Sequence, residues 1–92
     1  MTLQDILDTL RTEDIYPGEI EDQVKEKMPD YEVEAFDDDT DLMDSYNTTS
    51  VVATFIQNCA EGKVLEDIDI GNIWCTDGYG AHTYTVIAVK TK

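Results

Sequence analysis

Positive charge is scarce in this chain, whose 92 residues include six Lys and Arg against 21 Asp and Glu, for a formal net charge of −15 at pH 7. A surface so poor in cations repels phosphates, so direct binding to nucleic acid or to an anionic membrane is not expected. Long apolar runs are also missing, and the chain begins without a basic and apolar leader. These absences predict a cytoplasmic protein that does not enter a membrane.

Cysteine and histidine are equally sparse, with two Cys and one His. Cys59 and Cys75 form no C-x-x-C pair and supply, with His82, at most three soft zinc ligands, so no structural zinc site is predicted. Gly78 and Gly80 fall in a hairpin turn rather than at a strand-to-helix junction, which excludes a phosphate-binding loop. The sequence therefore predicts neither a metal nor a cofactor.

A catalytic alternative rests on Cys75, Asp77 and His82, which lie close enough in sequence to act as nucleophile, orienting group and base. A chain of 92 residues buries too little surface to enclose a deep active site. The prediction is therefore that the protein is not an enzyme.

A calcium-binding alternative rests on residues 37–44, DDDTDLMD, which open like an EF-hand loop. Leu42 stands where that loop requires Gly, and Thr48 stands where it requires a bidentate Glu. A weak site for divalent cations is left open, but a calcium sensor is not predicted.

The carboxylates are concentrated in one half of the sequence. Residues 1–44 contain 16 acids and three bases, whereas residues 45–92 contain five acids and three bases. Adaptation of a whole proteome to salt would spread carboxylates evenly, so the asymmetry favours a specific role. A surface of this kind attracts basic protein surfaces, and most strongly basic protein surfaces bind DNA or RNA.

The densest part of the acidic half is residues 30–44, which hold eight carboxylates and no Lys or Arg. Glu32 and Glu34 alternate there with apolar and aromatic residues, which predicts a strand with one side in the core and both glutamates on the side facing water. Residues two apart on a strand are separated by roughly 6.6 to 6.8 Å, which is of the order of the spacing between successive phosphates of one nucleic-acid strand. An ordered acidic surface can therefore imitate a phosphate backbone.

Apolar residues recur at helical spacing in three stretches. The first helix is expected to start after a Thr2 cap and to end near residues 11–13. The second begins at Pro17 and stops at Pro29. The third is expected to start after a cap at Thr49 or Ser50 and to end at Gly62. The β-branched residues of its first part, residues 48–56, leave a strand open as the alternative.

Strand patterns occupy three further stretches, residues 31–36, 72–76 and 81–91. Residues 77–80, DGYG, predict a hairpin with an enlarged turn, and residues 64–70 are interpreted as a connection. The last strand is apolar on both faces and is expected in the centre of the sheet. The chain is thus predicted to be a single α+β domain of order ααβαββ, with helices packed on one face of a small antiparallel sheet.

Short length, a one-sided carboxylate surface and the lack of a catalytic motif together resemble the small acidic inhibitors of phages and mobile elements. That group includes DNA-mimic antirestriction proteins and some anti-CRISPR proteins. The resemblance is one of character and not of a shared motif. It implies a non-enzymatic blocker that acts in the host cytoplasm on the nucleic-acid groove of a host-defence nuclease.

The leading hypothesis is that carboxylates replace phosphates on the basic groove of a DNA- or RNA-binding protein, such as a CRISPR effector or a restriction enzyme. Two tyrosines are added because an exposed ring beside carboxylates suits contact with Arg and Lys. A homodimer is left open. The predicted partner-binding residues are Asp30, Glu32, Glu34, Asp37, Asp38, Asp39, Asp41, Asp44, Glu19, Glu21, Asp22, Tyr31 and Tyr79.

An alternative hypothesis is an immunity or antitoxin protein that caps one cognate toxin. Its specificity would rest on aromatic anchors such as Trp74 and Tyr79 more than on net charge. Substitution of those aromatics would then weaken binding more than loss of carboxylates.

Overall fold

The computed structural model describes residues 2–37 and 45–92, with the backbone alone for residues 45–50. Within these residues, three helices and three strands follow one another in the order ααβαββ, which confirms the predicted class and order. They are α1 (Leu3–Leu7), α2 (Pro17–Lys27), β1 (Glu32–Asp37), α3 (Ser45–Ala60), β2 (Leu65–Asp77) and β3 (Gly80–Thr91). None of the helices in the described residues is long and apolar enough to cross a bilayer.

The three strands form one antiparallel sheet in the order β1-β3-β2. Residues 86–89 of β3 are at most 1% exposed, because neighbouring strands flank them and helices cover both faces. The prediction that the last strand is central is confirmed.

Helices α1 and α2 cover one face of the sheet. Alternate residues of β3, among them Tyr84, Val86 and Ala88, point to this face and pack against Leu3, Leu7 and further apolar residues of the two helices. This larger core contains the stripes that helical periodicity predicted for the first and second helices.

Helix α3 lies on the opposite face, which differs from the expectation that all helices share one face. Ile87 and Val89 point to that side and pack with Phe36 against the apolar residues of α3. The rings of Phe36 and Phe55 meet edge to face, with centroids 5.9 Å apart. Because β3 is apolar on both faces, one layer of helices could not have buried it.

Strand β2 is longer than predicted. Residues 65–69, interpreted from the sequence as part of a connection, pair with residues 88–91 of β3, with a register shift between Leu65 and Asp67. Asp77 pairs with Gly80, so the turn contains only Gly78 and Tyr79 and is not enlarged. The acidic residues of 65–69 led to the prediction of a connection. The strand tolerates them because β2 is at the edge of the sheet and many of its side chains are exposed.

Two helix boundaries also differ from the prediction. A capping box formed by Thr2 and Asp5 starts α1 as expected, but the helix ends at Leu7. The Thr9 hydroxyl donates to the Ile6 carbonyl, 2.7 Å away, and this local bond competes with continuation of the helix. Helix α3 begins at Ser45, four residues before the predicted cap at Thr49.

Polar side chains occupy both outer edges of the sheet. On β2, the Gln4 amide donates to the Asn72 carbonyl and accepts from the Asn72 N–H, both at 2.8 Å. Further along β2, Thr76 exchanges backbone hydrogen bonds with Thr12 and Ile15. On β1, the Ala35 N–H donates to Glu21 Oε1 at 3.3 Å. Occupied edges of this kind oppose pairing with strands of other chains.

Gly71 allows α1 to approach β2 at the same point. A Cβ on Gly71 would lie 2.8 Å from Leu7 Cδ1 and 3.1 Å from Gln4 Oε1. Leu7 is fully buried, so it has little space in which to move away. The absence of a side chain at residue 71 is therefore required for the packing of α1.

Gly71→Ala is expected to lower the free energy of unfolding by about 1 to 3 kcal/mol, the usual cost of overpacking a core. Gly18→Ala is the matched control, because nothing lies within 4 Å of a Cβ at that position on α2. That variant should be neutral or gain up to about 1 kcal/mol. Urea unfolding measures both, and equal stabilities for the two variants would contradict the close approach of α1.

Candidate protein-binding surface

The structure describes nine of the thirteen predicted partner-binding residues. The remaining four, Asp38, Asp39, Asp41 and Asp44, lie outside the described residues, together with most of the calcium-loop segment. The surface is therefore built from the carboxylates of α2 and β1 and from the tyrosines.

Glu32 and Glu34 lie on the same side of β1, as the alternation predicted, but that side is the one packed against α3. In the register of the sheet they stand opposite Val89 and Ile87, which α3 covers. Glu34 is half-buried and Glu32 is exposed. We expected this side of β1 to face water. Instead, α3 packs against part of it and the rest is exposed to solvent.

Two shallow concavities separate these glutamates from α3. The one at Glu34 has a volume of about 380 Å³ and is lined by Phe36, Val51, Thr54, Phe55 and Asn58. The one at Glu32 has a volume of about 290 Å³ and is lined by Phe55, Asn58, Cys59 and Lys63. Each combines an apolar floor with a carboxylate rim.

The predicted carboxylates of α2 divide into bound and unbound groups. Glu19 pairs with Arg11 at 3.2 Å. Glu21 accepts the Ala35 N–H and so stabilises the edge of β1. Asp22 makes no hydrogen bond or ion pair with the described residues, which leaves it free for a partner.

Other carboxylates on and near α2 and β1 have no internal partner among the described residues. Asp30 and Glu34 also make no hydrogen bond or ion pair with any described residue, whereas Glu32 lies 3.8 Å from Lys25. Across residues 2–37 and 45–92, Lys and Arg form three ion pairs, namely Arg11 with Glu19, Lys25 with Glu32, and Lys90 with Glu66. Internal pairing therefore neutralises little of the acidic excess.

The field of these carboxylates acts on Glu21. Burial raises the pKa of Glu21, the bond from the Ala35 N–H opposes this, and the neighbouring charges of Glu34 and Asp22 raise the pKa further. The acidic residues of α2 and β1 are thus close enough to repel one another. A cationic partner would relieve this repulsion.

Tyr31 is half-buried and is bound to other residues of the chain. Its hydroxyl donates to Asp67 Oδ2 at 2.5 Å, and Lys90 Nζ lies 6.0 Å from the centre of its ring. That hydrogen bond, together with the charges of Asp67 and Asp69, raises the pKa of Tyr31 to about 12. Tyr31 therefore links β1 to β2 across the central strand.

Tyr79 is at the opposite end of the sheet. It occupies the tip of the β2–β3 hairpin, is 91% exposed, and its N–H donates to Asp77 Oδ1. Tyr31 precedes the end of β1 that pairs with Val89, near the end of β3 farthest from the hairpin tip. The two predicted tyrosines thus do not belong to one compact contact.

Asp37 belongs to a separate cluster beside the hairpin. His82 Nδ1 lies 3.1 Å from Asp37 Oδ2, and Nε2 lies 3.5 Å from Asp77 Oδ1. Both ring nitrogens are shielded from water, and within the described chain neither makes a hydrogen bond of good geometry. The imidazole therefore lies between a carboxylate at the end of β1 and a carboxylate of the hairpin.

Cys75 is paired with His82 in the sheet register, so the structure does bring the three residues of the catalytic alternative together. The Cys75 side chain is buried, however, and burial raises the pKa of its thiol, as do the charges of Asp77 and Asp37. A protonated and buried thiol is a poor nucleophile. In the described part of the chain, no group of three or more His, Cys, Asp or Glu is arranged to hold a metal.

Sequence reasoning missed an apolar surface on β2. Ile68, Ile70 and Trp74 lie on the side of β2 that shares a face with α3, and their side chains are 37%, 52% and 59% exposed. The signal was present in residues 67–70, DIDI, whose strict alternation is typical of a strand. The acidic residues in the same segment led to its interpretation as a connection.

No family model, curated protein or solved structure matches this chain. The candidate surface therefore rests on its own geometry and charge.

Glu21→Gln is expected to raise the Tm at neutral pH. The folded protein binds a proton at Glu21 more tightly than the unfolded chain does, so ionisation of Glu21 lowers stability as pH rises through its folded pKa. Glutamine keeps an acceptor for the Ala35 N–H without the charge. The gain should disappear in acid, below the ordinary glutamate pKa, where Glu21 is protonated in both states.

Glu26→Gln on the same helix is the control, because Glu26 is exposed and makes no hydrogen bond or ion pair with the described residues. It removes the same charge and should raise the Tm less. Glu21→Ala should lower stability by about 1 kcal/mol, since it leaves the Ala35 N–H without its acceptor. Thermal unfolding followed by circular dichroism over a pH series would contradict this account if both glutamine variants behaved alike.

Proposed function

We propose that this chain is a non-enzymatic acidic inhibitor that occupies the basic groove of a nucleic-acid-binding protein in place of the phosphate backbone. A host-defence nuclease, such as a CRISPR effector or a restriction enzyme, is the partner that this chemistry fits best. The inhibitor binds protein and not nucleic acid, and it acts in the cytoplasm.

The observation that carries the proposal is the set of carboxylates without an internal partner on α2, on β1 and between these two elements. The chain has 21 acids and a net charge of −15, and Asp22, Asp30 and Glu34 have no internal partner among the described residues. Glu32 and Glu34 project from one side of a strand at a separation of roughly 6.6 to 6.8 Å, similar to the spacing of phosphates.

The fold supports this role in a second way. β1 belongs to a sheet with a buried central strand, so its carboxylates are held on a rigid element. A rigid array loses little conformational entropy when it binds, which favours affinity. A disordered acidic segment would lack this advantage.

Exposed aromatic residues favour the second candidate, an immunity or antitoxin protein that caps a cognate toxin. Trp74 and Tyr79 are more than half exposed, and aromatic anchors of this kind dominate the binding energy of many protein interfaces. This role predicts that binding depends on Trp74 and Tyr79 and changes little with salt.

The test is inhibition of DNA cleavage by a panel of restriction enzymes and CRISPR effector complexes, measured over a series of salt concentrations. Inhibition should weaken steeply as salt rises and should be relieved by added duplex DNA. A combined variant neutralises three carboxylates that have no internal partner, namely Asp22→Asn, Asp30→Asn and Glu34→Gln. It should weaken inhibition about tenfold or more, which corresponds to about 1.4 kcal/mol.

A control variant removes the same charge from the side of the fold near β2. It combines Asp8→Asn, Glu13→Gln and Asp14→Asn. Inhibition by this control should be close to that of the natural chain. Equal inhibition by the two charge variants, or inhibition that does not change with salt, would contradict phosphate mimicry. If Trp74→Ala and Tyr79→Ala lose binding while the carboxylate variant keeps it, the toxin-capping role is favoured.

A further inference from the structure

The apolar core beneath α3 continues onto β2, where the described chain does not cover it. In the sheet register Ile68 stands beside Val89 and Ile70 beside Ile87, and these two β3 residues are buried. Ile68 and Ile70 lie on the same face as Trp74, with the exposed Asn72 between Ile70 and Trp74. We term the three apolar residues the β2 apolar stripe. Among the side chains that the structure describes, those of residues 51–59 of α3 pack on Phe36, Ile87 and Val89, which belong to β1 and β3.

A helix on the face of the sheet fits the stripe better than a strand added along the edge of β2. The outer backbone groups of β2 are already bound at Asn72 by Gln4 and at Thr76 by the segment of residues 12–15. An added strand could not form a continuous ladder past these positions. A helix lying beside α3 satisfies its own backbone hydrogen bonds and needs only an apolar side to contact the stripe.

Charge decides between a second copy and another protein. Two copies of this chain would each bring a net charge of −15 to the interface, and their repulsion opposes association. A basic partner is attracted by the same field. The stripe therefore matches a cationic segment with one apolar side.

We propose that the β2 apolar stripe binds an amphipathic helix of a basic partner protein, with the apolar side of that helix on Ile68, Ile70 and Trp74. The proposal rests on the proposed function in taking the partner to be basic. The acidic surface would supply a contact that depends on salt, and the stripe would supply one that does not. Together they would let the inhibitor distinguish its partner from other basic proteins.

Trp74 is the only tryptophan in the chain, so its fluorescence reports directly on the stripe. The probe is a synthetic helical peptide of Leu and Lys without aromatic residues, with the leucines on one side. Binding should shift the emission of Trp74 to shorter wavelength as the indole leaves water. An oligolysine of equal charge should bind without this shift.

Ile68→Thr with Ile70→Thr should weaken binding of the Leu and Lys peptide at least fivefold, because it removes apolar contact while keeping β-branched residues in the strand. Val64→Thr is the control, since Val64 is an exposed apolar residue that precedes β2. It should leave binding unchanged. Circular dichroism should show the same fold for all three proteins.

Four outcomes would overturn the proposal. The first is an equal shift of the Trp74 emission with oligolysine, and the second is an equal loss of peptide binding in the Val64→Thr control. The third is an emission shift that grows with protein concentration in the absence of peptide. The fourth is an emission shift with phosphatidylcholine vesicles that is as large as the shift with the peptide. The third would mean that a second copy occupies the stripe, and the fourth would mean that lipid does.

Failure of the proposed function is separate from failure of this inference. If the variant lacking Asp22, Asp30 and Glu34 carboxylates still inhibits nucleases fully while the stripe still binds the peptide, phosphate mimicry is wrong and the stripe remains. If that variant loses inhibition while the isoleucine variant binds the peptide normally, the reverse holds.

Discussion

Burial of β3 on both faces is the constraint on which the rest of this structure depends. Residues 86–89 provide a run of apolar side chains that alternate between the two faces of the sheet, and all four are buried. A strand of this kind needs a neighbour on each edge and a helix layer on each face. β1 and β2 supply the neighbours, α1 and α2 supply one layer, and α3 supplies the other.

The excess of carboxylates is compatible with this core because several of them stabilise the fold. Asp5 caps α1, Asp69 accepts the Leu3 N–H at 2.8 Å, and Glu21 binds the edge of β1. Others, such as Asp22 and Glu34, make no contact of this kind with the described residues. Charges that repel one another and stabilise nothing lower the stability of a compact domain. The proposed binding to a basic protein would give these carboxylates a role that folding does not.

Local periodicity predicted the elements whose apolar and polar residues separate cleanly. The stripe of α2, with Ile20 and Val24 buried, and the two-sided apolar pattern of β3 are of this kind. The bounds of a helix or strand were predicted wrongly where polar residues lie within the element or next to its end. The first half of β2 carries acids on an exposed edge strand, and α1 ends early because Thr9 binds the Ile6 carbonyl. Of the residues predicted for the surface, Glu32 and Glu34 do share one side of β1, while Tyr31 and Asp37 are bound within the fold.

The sequence by itself determined the acidic character of the protein, its α+β class and the central position of β3, because composition and periodicity are properties of neighbouring residues. Only the tertiary structure decided which carboxylates are free, which side of the sheet receives α3, and that Ile68, Ile70 and Trp74 stay exposed. These features depend on contacts between residues far apart in the chain, such as Gln4 with Asn72 and Tyr31 with Asp67. The spacing of residues along the sequence carries no information about such contacts, since they form only when the helices and strands pack together.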